Sequence, residues 1–119
     1  MFIKDLNTCN EFLAKDTTFL REVLKPNAPE LKISYSLTHA RLKPGRVSLP
    51  HRLSSSEVYY ILEGQGLMFI DKETAPVISG QVIYIPPNSV QHLQNTGNTD
   101  LKFLCIVDPP WRAENEEIL

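Results

Sequence analysis

This chain lacks the features that most quickly betray a partner. It has no dense basic cluster: Lys25, Lys32, Arg41, Lys43, Arg46 and Arg52 are spread among apolar positions, and the net charge is −2. Phosphate backbones are held by clustered Lys and Arg, so nucleic acid is excluded as the main partner. No apolar run reaches about 18 residues, which excludes a membrane-spanning helix. The opening residues MFIKDLNTCNEF carry no apolar leader core, so a cytoplasmic location is expected. Cysteine is scarce: Cys9 and Cys105 are far apart, form no Cys-x-x-Cys pair and are read as reduced thiols. No internal repeat or low-complexity stretch is present.

What remains is dominated by β pattern. At 119 residues the chain is long enough for a single domain, 1–119, with one core. Residues 1–30 form an N-terminal segment expected to pack on the rest of the fold or on a partner. Thr8 followed by Glu11 resembles a capping box and suggests a short helix over residues 8–14. Residues 17–24 read either way: Phe19, Leu20, Val23 and Leu24 have helical spacing, whereas the Thr pair and Val23 favour a strand. Residues 25–30 are a turn-rich break.

From residue 31 onward, short β-branched and aromatic segments alternate with Gly, Pro and Asn turns. Strands are expected at 31–42, 47–49, 57–62, 67–71, 75–78, 81–86, 90–94 and 101–107, with 52–56 as a loop. That spacing indicates an all-β barrel or sandwich spanning 31–107. The last strand, LKFLCIV, is apolar on both parities and calls for cover from the N-terminal segment or a second subunit. Pro109 and Pro110 end it. In the tail, 108–119, Trp111 is expected to pack back on the barrel or on a partner, and the acidic end to be solvated.

The chemistry-bearing residues are few. His51 and Glu57 flank a short loop, and as a pair they read as a metal site, an acid/base couple or a hydrogen-bonded structural pair. Strand alternation puts Glu57, Tyr59 and Ile61 on one face. In the second half, apolar Leu93 suits the interior, so Gln91 and Asn95 should face in with it and His92 out. A β-bulge near Asn88 would reverse that assignment. On parity with Arg41, His39 is expected at the surface or an interface, with Ser36, Thr38, Ala40 and Leu42 pointing inward. Tyr59 and Tyr84 are candidates for the lining of a cavity.

Two spacings carry a family resemblance. The first is Gly45, five residues, His51-x-Leu53, three residues, Glu57, six residues, Gly64; the second is Gly80, five residues, Pro86-x-Asn88, two residues, Gln91, three residues, Asn95. Every gap matches the paired motifs of the cupins, and the chain resembles that family over residues 31–107. The resemblance implies a double-stranded β-helix, or jelly-roll, barrel. In metal-containing cupins two histidines and a glutamate of the first motif and a histidine of the second hold the metal. Here Leu53 and Gln91 stand where two of those histidines would be, and His92 is displaced by one. The set implied by the resemblance is therefore His51, Glu57 and Gln91 or His92, around a divalent Fe, Mn, Ni or Zn ion, with Tyr59, Tyr84, Leu53 and Asn95 in the pocket. Two functions follow as expectations: a metal-dependent enzyme of dioxygenase or isomerase type acting on a small polar metabolite, or a metal-free module that binds or senses one. A homodimer is expected in either case.

Overall fold

A computed structural model describes all residues, 1–119. Eleven strands build two facing sheets: β1 Glu11–Leu13, β2 Phe19–Leu24, β3 Ser36–Leu42, β4 His51–Leu53, β5 Ser56–Glu63, β6 Gln65–Ile70, β7 Glu73–Ile78, β8 Val82–Ile85, β9 Gln91–Asn95, β10 Leu101–Asp108 and β11 Glu116–Ile118. One sheet has the order β1-β2-β3-β10-β5-β8 and the other β11-β4-β9-β6-β7. All pairings between the strands are antiparallel. Helical structure is limited to single 3₁₀ turns at Leu6–Thr8 and Ala113–Asn115. No helix is long and apolar enough to cross a membrane.

Period-two patterning decides which side chains meet between the sheets. On β5, Glu57, Tyr59 and Ile61 are buried while Tyr60 is exposed. On β10 the buried set is Leu101, Phe103, Cys105 and Val107, and on β9 it is Gln91, Leu93 and Asn95. The core is graded along the strands. Leu42, Ile61, Met68, Leu93 and Leu101 make one end apolar, with Asn95 the buried polar side chain among them. Toward the other end the inward positions become Tyr59, Glu57, His51 and Thr38. The apolar end is closed tightly around the turn from β5 to β6. There Gly64 has φ +91°, and a Cβ on Gly66 would lie 2.5 Å from the Gln94 carbonyl oxygen. Only glycine suits both positions.

Both chain ends converge on the polar end of the barrel. The N-terminal segment extends the first sheet: β2 pairs with β3, and β1 with β2. Arg41 anchors this extension, donating from Nε and Nη2 to the Glu11 carboxylate at 2.7 and 2.6 Å while lying over the Phe19 ring. The tail leaves β10, donates the Trp111 amide to Ser36 Oγ, and crosses to the second sheet, where β11 pairs with β4.

Several expectations are corrected. Residues 8–14 are not a helix: Asp5, not Thr8, caps one 3₁₀ turn, and Glu11–Leu13 gains more by strand pairing with β2. Residues 47–49 make only an isolated bridge, Val47 to Gln94. A strand instead forms at His51–Leu53, inside what reads as a loop, because β9 and β11 flank it. The acidic tail is not solvated throughout, since Glu116 reaches the barrel mouth. His39 points away from the core as parity predicts but is buried, 7% exposed, between β2 and β10, and its Nδ1 has no partner. Burial, followed by the nearby Lys102 and Arg21 charges, holds its pKa below the usual histidine value. Cys9 and Cys105 are both buried free thiols.

Candidate functional site

The polar end of the barrel encloses a cavity of about 40 Å³ lined by residues of both sheets and both termini. It has a floor and a mouth. The floor is a chain of hydrogen bonds across the sheets. Tyr59 Oη donates to Gln91 Oε1 at 2.8 Å, and Gln91 Nε2 donates to Glu57 Oε1 at 2.8 Å. This fixes the amide orientation of Gln91 and leaves Tyr59 and Glu57 facing the cavity in front of it. Glu57 is fully enclosed. Burial pushes its pKa up to about 8, against the opposing pull of the Gln91 donor, and the Asp16 and Glu116 charges raise it further. Glu57 is therefore a neutral carboxylic acid at pH 7. Burial likewise raises the Tyr59 hydroxyl and the Cys105 thiol far above their ordinary values, so both remain protonated and Cys105 acts as a small apolar wall.

The mouth is built by His51 on β4, Asp16 in the turn before β2 and Glu116 on β11. One ligand atom from each lies within 4.8 Å of the other two. The Asp16 turn is self-supporting: Oδ1 accepts from the Thr18 amide at 3.1 Å and the Thr18 hydroxyl at 2.6 Å. The Asp16 carbonyl accepts from the Leu49 amide, which ties the turn to the entry of β4. His51 donates Nδ1–H to the Leu49 carbonyl at 2.7 Å and turns Nε2 toward Asp16 Oδ2, 3.6 Å away. Trp111 Nε1 donates to Glu116 Oε2 at 2.9 Å.

The structure places the other expected site residues as follows. Leu53 and Tyr59 line the cavity. Gln91 faces inward, 1% exposed, but lies behind Glu57 and Tyr59. No bulge reverses β9: His92 faces outward and stacks on Phe69, ring centroids 4.2 Å apart, so it is not a pocket ligand. Tyr84 is also outside the pocket, exposed on the edge strand β8. Asn95 is buried but structural, donating to the Leu42 and Thr99 carbonyls and accepting from the Gly97 amide. Asp16 and Glu116 were not among the candidates. The one sequence cue was Trp111, expected to fold back, which carries Glu116 with it.

At the motif positions Leu53 has no donor atom and the Gln91 amide is engaged at both ends, by Tyr59 and by Glu57. His51 and Glu57 are the motif residues that keep a ligand atom facing the cavity.

Fold and site together define a small β-barrel protein with an enclosed polar pocket between two sheets. The Cupin domain family model matches residues 38–107, and the chain belongs to that family. It is 42% identical over 109 residues to an uncharacterised protein of Methanocaldococcus jannaschii, covering 91% of this chain and 86% of the relative. It is 35% identical over 68 residues to the oxalate-binding protein of Thermotoga maritima, covering 56% of each. Among solved structures it resembles a Cupin 2 conserved barrel domain protein from Salinispora arenicola, with a TM-score of 0.78 at 20% identity over 96% of this chain and 91% of that one. The last likeness shows the shared fold.

Proposed function

We propose that the chain binds a small, neutral, hydrogen-bonding metabolite against the Glu57–Gln91–Tyr59 floor, with Glu57 as the group able to exchange a proton with it. The observation that carries this reading is the lining of the cavity. Asp16, Glu57 and Glu116 face it, and no Lys or Arg does. A phosphate or carboxylate entering alone would meet acid groups and no counter-charge. A hydroxyl or carbonyl group meets a neutral carboxylic acid that can both donate and accept. Leu20, Leu53, Phe103 and Val107 supply the apolar remainder of the wall.

Size limits the ligand. A water needs roughly 10–15 Å³ in this measure, so a cavity of about 40 Å³ takes a molecule of only a few heavy atoms. Anything larger requires the β11 strap to lift. The oxalate named for the Thermotoga maritima relative would fill or exceed this volume, and as a dianion it also needs a bound cation to neutralise the mouth.

The test is a thermal-shift and calorimetric screen of the full chain against small polyols, hydroxy-ketones and oxalate, with wild type beside Glu57→Leu. A neutral compound that binds wild type and is lost in Glu57→Leu supports the reading. Oxalate binding in the presence of chelator, or a neutral ligand bound equally by both proteins, overturns it. Turnover of the bound compound assigns the chain to the enzymes of the family, and binding without turnover to its sensing or storage modules.

A homodimer belongs to the same proposal. On the outer face of the first sheet, Ile106, Val58 and Tyr84 are cross-strand neighbours, as are Leu104, Tyr60 and Val82. Tyr60, Tyr84, Val82 and Ile106 are exposed there, making an apolar patch suited to a second copy. Light scattering should give twice the chain mass for wild type and the chain mass for Tyr60→Glu; a monomeric wild type at micromolar concentration refutes the dimer.

A further inference from the structure

We propose that Asp16, His51 and Glu116 form a divalent-cation site at the mouth of the barrel, outward of the motif's metal position and completed by the C-terminal strand. Of the motif's positions it keeps His51 alone and takes its other two ligands from the chain ends.

Each of the three side chains is oriented by one atom and leaves another free. His51 uses Nδ1–H on the Leu49 carbonyl, which orients the ring and leaves Nε2 facing the cavity. His51 is 4% exposed, and Nε2 has no hydrogen-bond partner, because its neighbour Asp16 Oδ2 stands off at 3.6 Å. Asp16 uses Oδ1 on Thr18 and leaves Oδ2. Glu116 uses Oε2 on Trp111 and leaves Oε1. A buried imidazole whose Nε2 stands beyond hydrogen-bond distance of one carboxylate, with a second carboxylate close by, is an arrangement that a cation resolves.

Charge points the same way. Glu11, Glu22, Glu63, Asp100, Glu114 and Glu117 each have an Arg or Lys within 4.0 Å, and the unpaired Asp5, Glu30, Asp71, Glu73 and Asp108 are exposed to solvent. Asp16 is paired with nothing but His51, and Glu116 has no such partner. The donor set is two carboxylates and one imidazole nitrogen, a combination that matches a divalent ion. One nitrogen and two carboxylate ligands suit Mn, Fe, Co, Ni or Zn, and three protein ligands leave open positions for water or for a ligand entering from the cavity. The identity of the third ligand gives the site a mechanical consequence. Glu116 lies on a three-residue strand held by its pairing to β4 and an Arg52–Glu117 bridge. A cation bound to Glu116 therefore clamps the strap over the pocket.

The experiment uses the full chain stripped with a chelator and titrated with Mn²⁺, Co²⁺, Ni²⁺ and Zn²⁺. Elemental analysis gives stoichiometry, and Trp111, the single tryptophan, reports the site by fluorescence. The expected result is one ion per chain, a saturable change in Trp111 emission, and slowed amide exchange at residues 116–118. Glu116→Gln keeps an acceptor for Trp111 yet weakens binding by about tenfold or more, as does Asp16→Asn, while His92→Ala, on the outer face of β9, leaves it unchanged. Circular dichroism confirms that each variant is folded. The proposal is overturned if none of the four ions binds, if Trp111 emission is indifferent to binding, or if Glu57→Gln abolishes binding and Glu116→Gln does not. That last pattern puts the ion at the motif position. The neutral-ligand reading stands or falls separately, on Glu57→Leu.

Discussion

The floor and the mouth of the pocket are both acidic by composition, yet they solve the problem of buried acid differently. At the floor, Glu57 takes up a proton and hydrogen-bonds to Gln91, which in turn accepts from Tyr59. Apart from the face Glu57 turns to the cavity, each group is satisfied within the chain. At the mouth, Asp16 and Glu116 sit beside His51 with lone pairs left over and no cationic side chain in reach. A satisfied polar network rigidifies a fold, whereas an unsatisfied one is costly until something binds. The floor thus serves stability and proton exchange, and the mouth is where a charged guest gains most.

The largest effect expected from this division is on pH dependence. Glu57 in the folded protein has a pKa near 8, against about 4.3 for an unperturbed glutamate. Below the unfolded value both states hold the proton and pH has no effect through this group. Between the two values the folded state binds more protons than the unfolded one, so stability falls as pH rises, by up to about 1.4 kcal/mol per pH unit. Above pH 8 the loss is complete. Urea denaturation from pH 5 to pH 9 should show this decline in wild type and a flatter profile in Glu57→Gln. Equal slopes in the two proteins mean that Glu57 is ionised in the fold, and the contrast between floor and mouth collapses.

Removing the middle of the floor network comes next. Gln91→Ala deletes the acceptor of Tyr59 and the donor to Glu57 and opens a cavity in a side chain that is 1% exposed. The cost should be about 3 kcal/mol, from the void and the stranded hydroxyl together. A cost below that of surface substitutions would show that water replaces the amide, and hence that the floor is wetter than its burial suggests.

The mouth should respond in the opposite direction. In cation-free protein near pH 8, Glu116→Gln removes one of two neighbouring carboxylates and should stabilise by about 1 kcal/mol, a fraction of the Coulomb repulsion at an effective dielectric of about 20. With Mn²⁺ or Zn²⁺ present the sign should invert, because wild type gains binding energy that the variant lacks. Destabilisation by Glu116→Gln without any ion would instead mean that the two carboxylates are already compensated within the chain, which removes the reason for a cation at the mouth.

How much of this was legible in the sequence follows the same boundary. The motif spacings located β5, β6 and β8 to β10, and alternation around Leu93 and Ile61 put Gln91 and Glu57 inside. Those assignments depend on neighbours two residues away along one strand. The mouth depends on contacts across most of the chain: β11 pairs with β4, and Asp16 meets His51 through the Leu49 amide. No local pattern in residues 14–18 or 116–118 announces that meeting. The same reason hid the strand at His51–Leu53, which exists because β9 and β11 supply its partners. His39 shows the complementary failure. Parity gave its direction correctly, but the cover laid over it by β2 lies outside the reach of alternation.

The smallest expected effect tests the alternation itself. His92 is one residue from the motif position, and a single-residue slip in β9 would exchange it with Gln91. In the structure β9 pairs with β6 without interruption, Gln91 to Ile70 through Asn95 to Gly66, and the His92 ring lies nearly parallel to Phe69, at 10°. His92→Ala should therefore cost only about 0.5 kcal/mol, the low end for loss of an aromatic stack, and leave cation affinity untouched. Partial burial, followed by the neighbouring His51, holds its imidazole below the ordinary histidine pKa, which suits a ring that contributes packing against Phe69. If His92→Ala abolished cation binding while Glu116→Gln did not, the second motif would be presenting its displaced histidine to the metal after all. β9 would then have to shift its register against β6, and the Glu57–Gln91–Tyr59 network could not exist in the same state.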